Sequence, residues 1–93
     1  MEYHRSCEEK RQLFRMQEAE YNIGRIYHLL GLAELAVPYY ERCLELGLQM
    51  DDGPQDHEVE NFTHEAAIAL QAHWTASGDV QTAHAITQAW LIM

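Results

Sequence analysis

Lysine and arginine are missing from the second half of this 93-residue sequence, since none occurs from Cys43 to the end. The six basic residues all precede that point, and the formal net charge is −9. An acidic segment repels phosphate backbones, so this absence excludes direct nucleic-acid binding by the second half. Its acids are expected either on solvated helix faces and a loop or on a surface for a basic protein partner.

Long apolar runs and paired cysteines are also missing. No stretch approaches the ~20 consecutive apolar residues of a membrane span, and the N-terminus, MEYHRSCEEKRQLF, lacks the apolar core of a signal peptide, so we expect a soluble intracellular protein. Cys7 and Cys43 form no CxxC pair, which argues against a zinc knuckle or a disulfide framework. With 47% hydrophobic residues and only two prolines, the composition is typical of an ordered globular domain.

The sequence contains an internal repeat with an offset of 47 residues, because GRIYHLLGLAELA (24–36) aligns with QAHWTASGDVQTA (71–83). The alignment pairs Ile23 with Leu70, Tyr27 with Trp74, Gly31 with Gly78, and Ala36 with Ala83. Helical arrays with units of about 34 residues are common, so the offset indicates two helical hairpins separated by an insertion of about 13 residues. The acid-rich stretch GLQMDDGPQDHEVEN (47–61) contains Gly-Pro and no helical apolar stripe, and we predict that it is a loop.

The repeated residues are consistent with packed hairpins. In each unit a large aromatic on the first helix is expected to lie over a small alanine on the second: Tyr27 over Ala36, and Trp74 over Ala83. Gly31 and Gly78 are expected to end the first helices with positive φ. Gly24 lies inside a helix, where glycine costs ~1 kcal/mol relative to alanine, so we expect a neighbouring helix to cross closely there.

We predict an all-α fold of two antiparallel hairpins, about four helices, in a short right-handed array. The first helix is predicted to end near Leu30, and the others to span about Ala33–Leu46, Phe62–Ser77 and Val80–Ile92. Residues 1–16 are either the end of a preceding unit or an extension of the first helix. Residues 17–47 form the first unit, 48–61 the acidic insertion, and 62–93 the second unit together with the C-terminus. Pro38 is tolerated only near the first turn of its helix and would otherwise kink it.

The run YNIGRIYHLLGLAELAVPYYERCLELG resembles a tetratricopeptide repeat (TPR) unit. The positions where that family has Leu, Gly, Tyr, Ala and an aromatic hold Ile23, Gly24, Tyr27, Ala36 and Tyr40. Residues 17–93, including HEAAIALQAHWTASGDVQTAHAITQAWLIM, further resemble the C-terminal TPR units of the large TPR subunit of TFIIIC, a general transcription factor of the RNA polymerase III system. The sequence departs from the general TPR pattern at Glu20, Gln71 and Trp90, where that family has Trp, Gly and a small residue.

The TFIIIC resemblance implies a TPR-like scaffold in the nucleus that helps to hold the factor together and to recruit TFIIIB. Its partners would be other TFIIIC subunits and TFIIIB components, with no membrane contact and with promoter DNA read mainly by other subunits. A TPR adaptor of an unrelated complex, docking a basic or aromatic peptide, stays open as the alternative.

The groove of a TPR array is lined by the first helix of each unit. Candidate partner-binding residues in this groove are Glu18, Tyr21, Arg25, His28, Glu65 and Ile68. A carboxylate clamp for chaperone tails would need several Lys and Asn side chains, and only Arg25 qualifies. We therefore expect an aromatic or aliphatic anchor against Tyr21 and Ile68 with a basic flank facing the acids, unless the residues before Tyr21 cover it.

The predicted last helix ends with an apolar face made by Trp90, Leu91, Ile92 and Met93. The end of an array needs a cover, so we expect Trp90 to be partly buried against the third helix or to contact another molecule. Arrays usually need at least three units for stability, and the isolated fragment is therefore expected to self-associate.

An enzymatic site is not predicted. His64-Glu65 begins like the zinc motif HExxH, but residue 68 is isoleucine, so the second histidine ligand is missing. The histidines are interpreted as surface or groove residues. We expect no catalytic residue, no cofactor and no metal.

Overall fold

A computed structural model of the protein describes residues 7–50 and 62–91. Its helices are α1 (Cys7–Leu29), α2 (Ala33–Met50), α3 (Thr63–Ala76) and α4 (Val80–Ile86), followed by a π-helical turn (Thr87–Leu91). No strand occurs in either described segment. The all-α, TPR-like prediction is confirmed: α1 packs against α2, α2 against α3, and α3 against α4 and the π-helical turn.

The two first helices end in the same way. Gly31 has φ 81° and Gly78 has φ 89°, as predicted for residues that terminate these helices. After α1, the Leu32 N–H donates to the Tyr27 carbonyl at 2.9 Å; after α3, the Asp79 N–H donates to the Trp74 carbonyl at 2.9 Å. Both turns therefore satisfy helix-terminal carbonyls through the same glycine-dependent closure, 47 residues apart.

Asp79 then begins the next helix, because its carboxylate accepts hydrogen bonds from the Thr82 N–H at 3.1 Å and the Thr82 hydroxyl at 2.8 Å. These bonds favour the ionised carboxylate and lower the pKa of Asp79.

The first hairpin is longer than the sequence analysis expects. α1 runs without a break from Cys7, and α2 continues to Met50 rather than ending at Leu46, so the segment 48–61 begins as helix. These extensions pack on each other: Leu13, Leu46 and Met50 are buried in one cluster, with Phe14 packed against it. Apolar burial at the open end of the hairpin explains why α2 persists there. The rest of the predicted insertion, 51–61, lies outside the described residues.

The main core lies between α2 and α3. Apart from one tyrosine, its buried side chains are small or of medium size. They are Ala36, Tyr40, Cys43, Leu44, Ala66, Ala67 and Leu70. Tyr27 and Trp74 are half-buried and pack against this cluster. The small residues let the helices approach closely, while the aromatics close the sides of the core.

Gly24 is in close contact with a neighbouring helix, as predicted. A Cβ atom at Gly24 would lie 3.0 to 3.3 Å from atoms of the Tyr40 ring. The equivalent positions of the second unit hold Gln71 and Thr87, and Gln71 Nε2 donates a hydrogen bond to Thr87 Oγ1 at 2.7 Å. In the second unit, two polar side chains that are hydrogen-bonded to each other therefore replace the glycine and the tyrosine. This exchange explains how the repeat tolerates Gln71 where the TPR pattern has glycine.

The helix predicted over about 80–92 continues through the described residues but changes type, because α4 ends at Ile86 and the backbone continues as a π-helical turn to Leu91. The Thr87 hydroxyl donates to the Ala83 carbonyl at 3.0 Å while accepting from Gln71. A threonine hydroxyl that bonds back to the preceding turn competes with regular helical hydrogen bonding. The change from α-helix to the wider π-helix begins at this residue.

Gln17 is a fully buried polar residue at the junction of three helices. Its Nε2 donates to the Cys43 carbonyl at 2.8 Å and to Thr63 Oγ1 at 2.9 Å, while its Oε1 accepts from the Phe62 N–H at 2.8 Å. One amide thus joins α1, α2 and the start of α3. The bond to the Cys43 carbonyl is buried and the other two are partly buried, and an unmade hydrogen bond in such surroundings is costly.

Replacing Gln17 with leucine keeps the volume and removes all three bonds. Because each buried polar group left unpaired costs about 1–3 kcal/mol, we expect Gln17→Leu to lower the free energy of unfolding by about 3 kcal/mol or more. Urea denaturation followed by circular dichroism measures this loss. The matched control is Gln12→Leu at an exposed position of α1. Equal stability of the two variants would contradict the role given to Gln17.

Gly47 lets the first residue of α3 sit directly on α2. A Cβ atom at Gly47 would overlap Thr63 Oγ1 and lie 3.1 Å from both Thr63 Cβ and Cγ2. The same Thr63 hydroxyl receives a hydrogen bond from Gln17, so it cannot move away without breaking the junction.

We expect Gly47→Ala to lower the free energy of unfolding by about 1–3 kcal/mol, although alanine is favoured in helices by about 1 kcal/mol, because the overlap with Thr63 outweighs helix propensity. A double-mutant cycle with Thr63→Ala measures the coupling by urea denaturation. The cost of Gly47→Ala should shrink or reverse when Thr63 is already alanine. An unchanged cost in that background would mean that the clash is not the cause.

Candidate partner-binding surface

Four of the predicted groove residues share one face of α1, because Glu18, Tyr21, Arg25 and His28 recur every three or four positions. Glu18, Arg25 and His28 are exposed, whereas Tyr21 is half-buried.

Two predicted groove residues lie on α3. Both Glu65 and Ile68 are exposed, with 47% of Ile68 accessible. They stand 47 positions after Glu18 and Tyr21, so the two units present equivalent places.

The Tyr21 ring is held by contacts within the molecule. It stacks on Phe62 with ring centroids 4.8 Å apart and tilts against Tyr40 at 5.8 Å. The Arg25 guanidinium carbon lies 5.9 Å from the centroid of the same ring. Only part of Tyr21 is therefore available to a partner, whereas Ile68 is the more open of the two anchors that the sequence analysis proposed.

Phe62 and Tyr40 shape this surface, but the sequence analysis does not place them in the groove. Phe62 also stacks on Phe14 at a centroid distance of 5.7 Å, and Tyr40 hydroxyl lies 3.4 Å from His28 Nδ1. Tyr40 has a sequence signal, since it matches the aromatic position of the TPR pattern. Phe62 has none, because it reaches α1 across more than forty residues of sequence.

A separate cleft of about 410 Å³ lies where the start of α2 meets the end of α3. Its lining residues are Glu34, Val37, Pro38, His73, Trp74 and Ser77. The rings of His73 and Trp74 meet edge to face at 4.8 Å. With apolar walls and one carboxylate, the cleft suits an aromatic or cationic side chain. The cleft has no signal in the sequence of either unit alone, since its lining residues come from two units.

The predicted apolar face near the end of the sequence is only partly described. Trp90 and Leu91 are half-buried and pack against the core formed by α2 and α3. Ile92 and Met93 lie outside the described residues.

Within residues 7–50 and 62–91, no three His, Cys, Asp or Glu side chains are grouped as a metal site would require. None of the helices in these ranges has the length and apolarity needed to span a membrane. Cys43 is completely buried, and burial, together with the nearby Glu20 carboxylate, raises the pKa of its thiol to about 12.

Comparison with known proteins places this arrangement in a family. The tetratricopeptide repeat family matches residues 17–46, which cover the second half of α1 and most of α2. Transcription factor tau subunit sfc4 of Schizosaccharomyces pombe is 37% identical over 83 residues, or 82% of this chain and 8% of that protein. The transcription factor tau 131 kDa subunit of Saccharomyces cerevisiae is 54% identical over 37 residues, or 40% of this chain and 3% of that protein. The chain is thus related to the TPR region of TFIIIC subunits.

A human relative agrees with this TFIIIC assignment. General transcription factor 3C polypeptide 3 is 33% identical over 70 residues, or 75% of this chain and 8% of that protein. The TFIIIC-type chain thus spans less than a tenth of the length of these curated relatives. No solved structure matches it significantly. The matching family is a repeat family, and the relatives carry the names of transcription factor subunits.

The buried thiol of Cys43 gives a test of how tightly the core between α2 and α3 is closed. In a Cys7→Ser variant, Cys43 should react with a disulfide reagent at pH 8 at least ~100-fold more slowly than in denaturant, because attack requires the thiolate and access to it. Absorbance of the released thiolate measures the rate. The same protein in guanidinium serves as the control. Native-state reaction at the rate of a free thiol would show that the α2–α3 core opens readily.

Proposed function

We propose that this protein is an assembly scaffold of a TFIIIC-type factor, acting in the nucleus to bind other TFIIIC subunits and to support TFIIIB recruitment for RNA polymerase III transcription. The similarity to the tau subunit sfc4 along 82% of the chain is the observation that carries the proposal. The proposed role requires protein surfaces rather than a reaction centre.

The groove offers a chemistry for such binding. Glu18 and Glu65 are exposed at equivalent positions of α1 and α3, so a segment crossing both helices would meet two carboxylates. Ile68 supplies an exposed apolar contact beside them. We propose that the bound segment carries basic residues flanking an aliphatic or aromatic anchor that packs on Ile68.

The remaining groove residues would orient that segment. Arg25 is exposed and supplies a positive charge on α1, while its counterpart on α3 is Ala72. A partner with an acidic residue at one end and basic residues beyond it would therefore bind in a single direction. Tyr21 and His28 add polar edges on the α1 side, next to Tyr40.

A capture experiment with the 93-residue protein tests the proposal. The immobilised protein is incubated with nuclear extract, and TFIIIC subunits and TFIIIB components are measured by quantitative mass spectrometry. Reversing both groove acids, Glu18→Lys with Glu65→Lys, should reduce their recovery about tenfold or more, because attraction of a basic segment becomes repulsion. Circular dichroism verifies that the variant keeps its helices.

The matched control is Glu41→Lys, which reverses an exposed charge on α2. It should recover the same proteins as the unaltered protein. Equal recovery by the groove variant and this control would remove the groove from the proposal. Recovery of only chaperones or unrelated complexes would overturn the TFIIIC assignment of function and favour an adaptor that docks a basic or aromatic peptide.

A further inference from the structure

α1 carries an apolar stripe that nothing in the described part of the molecule covers. Met16, Ile23 and Ile26 are exposed by 53%, 38% and 56%, and Leu30, just beyond the helix end, by 67%. Ala19 lies between them, so the stripe follows the three- and four-residue spacing of one helix face. Other residues of α1, such as Leu13 and Gln17, are buried in the contact with α2.

The internal repeat shows what kind of surface covers this face. The residues 47 positions after the stripe are Thr63, Ala66, Leu70, His73 and Ser77. Ala66 and Leu70 are 0% and 1% exposed, because α2 of the preceding hairpin packs on them. The stripe on α1 is thus the counterpart of a face that, on α3, is covered by the second helix of a hairpin.

The second helical segment of the second unit has the counterpart of that covering surface. α2 uses Tyr40, Cys43 and Leu44 in the core, and the residues 47 positions later are Thr87, Trp90 and Leu91. Trp90 and Leu91 lie on the π-helical turn and are only half-buried. The described residues therefore include both surfaces of an α2–α3-like contact, and each of these surfaces is only partly covered.

Charge does not oppose a contact between these two ends. α1 holds four basic and four acidic residues. The segment from Val80 to Leu91 contains no Asp, Glu, Lys or Arg. The net charge of −9 therefore resides mainly outside the two surfaces. Contact between these surfaces brings no large clusters of like charge together.

We propose that copies of this protein associate head to tail, with the π-helical turn of one copy packed on the Met16–Leu30 stripe of the next. The contact repeats the packing of α2 on α3 between molecules. Because the two surfaces differ, the contact is heterologous and leaves one free surface at each end of the assembly. This proposal does not depend on the TFIIIC function proposed above.

Sedimentation velocity of the 93-residue protein over a ~100-fold concentration range tests the association by mass action. The weight-average mass should rise with concentration and pass beyond that of a dimer. The stripe variant Ile23→Asp with Ile26→Asp should associate at least ~10-fold more weakly, because it places charges in an apolar contact. The control Leu48→Asp alters a side chain of α2 that is 61% exposed and should associate like the unaltered protein.

Complementation distinguishes head-to-tail packing from other modes. The end variant Leu91→Asp keeps the stripe, and the stripe variant keeps Leu91, so each alone should be monomeric while their equimolar mixture should form a dimer and nothing larger. Circular dichroism establishes that both variants are folded. A monomer at every concentration overturns the proposal, as does association that both variants retain. Dimers of the Leu91→Asp variant alone would show stripe-to-stripe pairing and would equally refute it.

Discussion

The fold depends on the hydrogen bonds of one buried amide. Gln17 donates to the Cys43 carbonyl and to the Thr63 hydroxyl, and it accepts from the Phe62 N–H, so it links α1, α2 and the start of α3. The close approach of α3 at Gly47 and the stacking of Phe62 on Tyr21 occur around the same junction. Without these contacts the second hairpin would have only its small-residue core with α2 to fix its position.

The second hairpin keeps the repeat while changing its packing. Its turn reproduces the glycine closure of the first, but Gln71 and Thr87 replace the Gly24–Tyr40 contact with a hydrogen bond. The Thr87 hydroxyl also bonds to the Ala83 carbonyl, where the α-helix changes to a π-helical turn. The departure at Gln71 therefore reflects a coupled exchange of side chains rather than a loss of the repeat, and Trp90 and Leu91 on the π-helical turn are half-buried.

The surfaces of the molecule divide into polar and apolar kinds with different uses. Glu18 and Glu65 are exposed carboxylates at equivalent positions of α1 and α3, while the Met16–Leu30 stripe is the counterpart of a face that is buried on α3. In general, charged surfaces contribute orientation and selectivity to binding, and apolar surfaces contribute affinity through burial of apolar area.

The helical class, the 47-residue repeat, the glycine-closed turns and the family could all be predicted from the sequence, because these depend on residues close together along it. The close contact at Gly24 was predictable too, although not that Tyr40 makes it. The three-dimensional packing was needed to fix the length of α2, the burial of Gln17, the stacking of Phe62 on Tyr21 and the cleft beside Trp74. Each of these features involves residues from different helices. The periodicity of one helix does not indicate which side chains from distant parts of the sequence will come into contact.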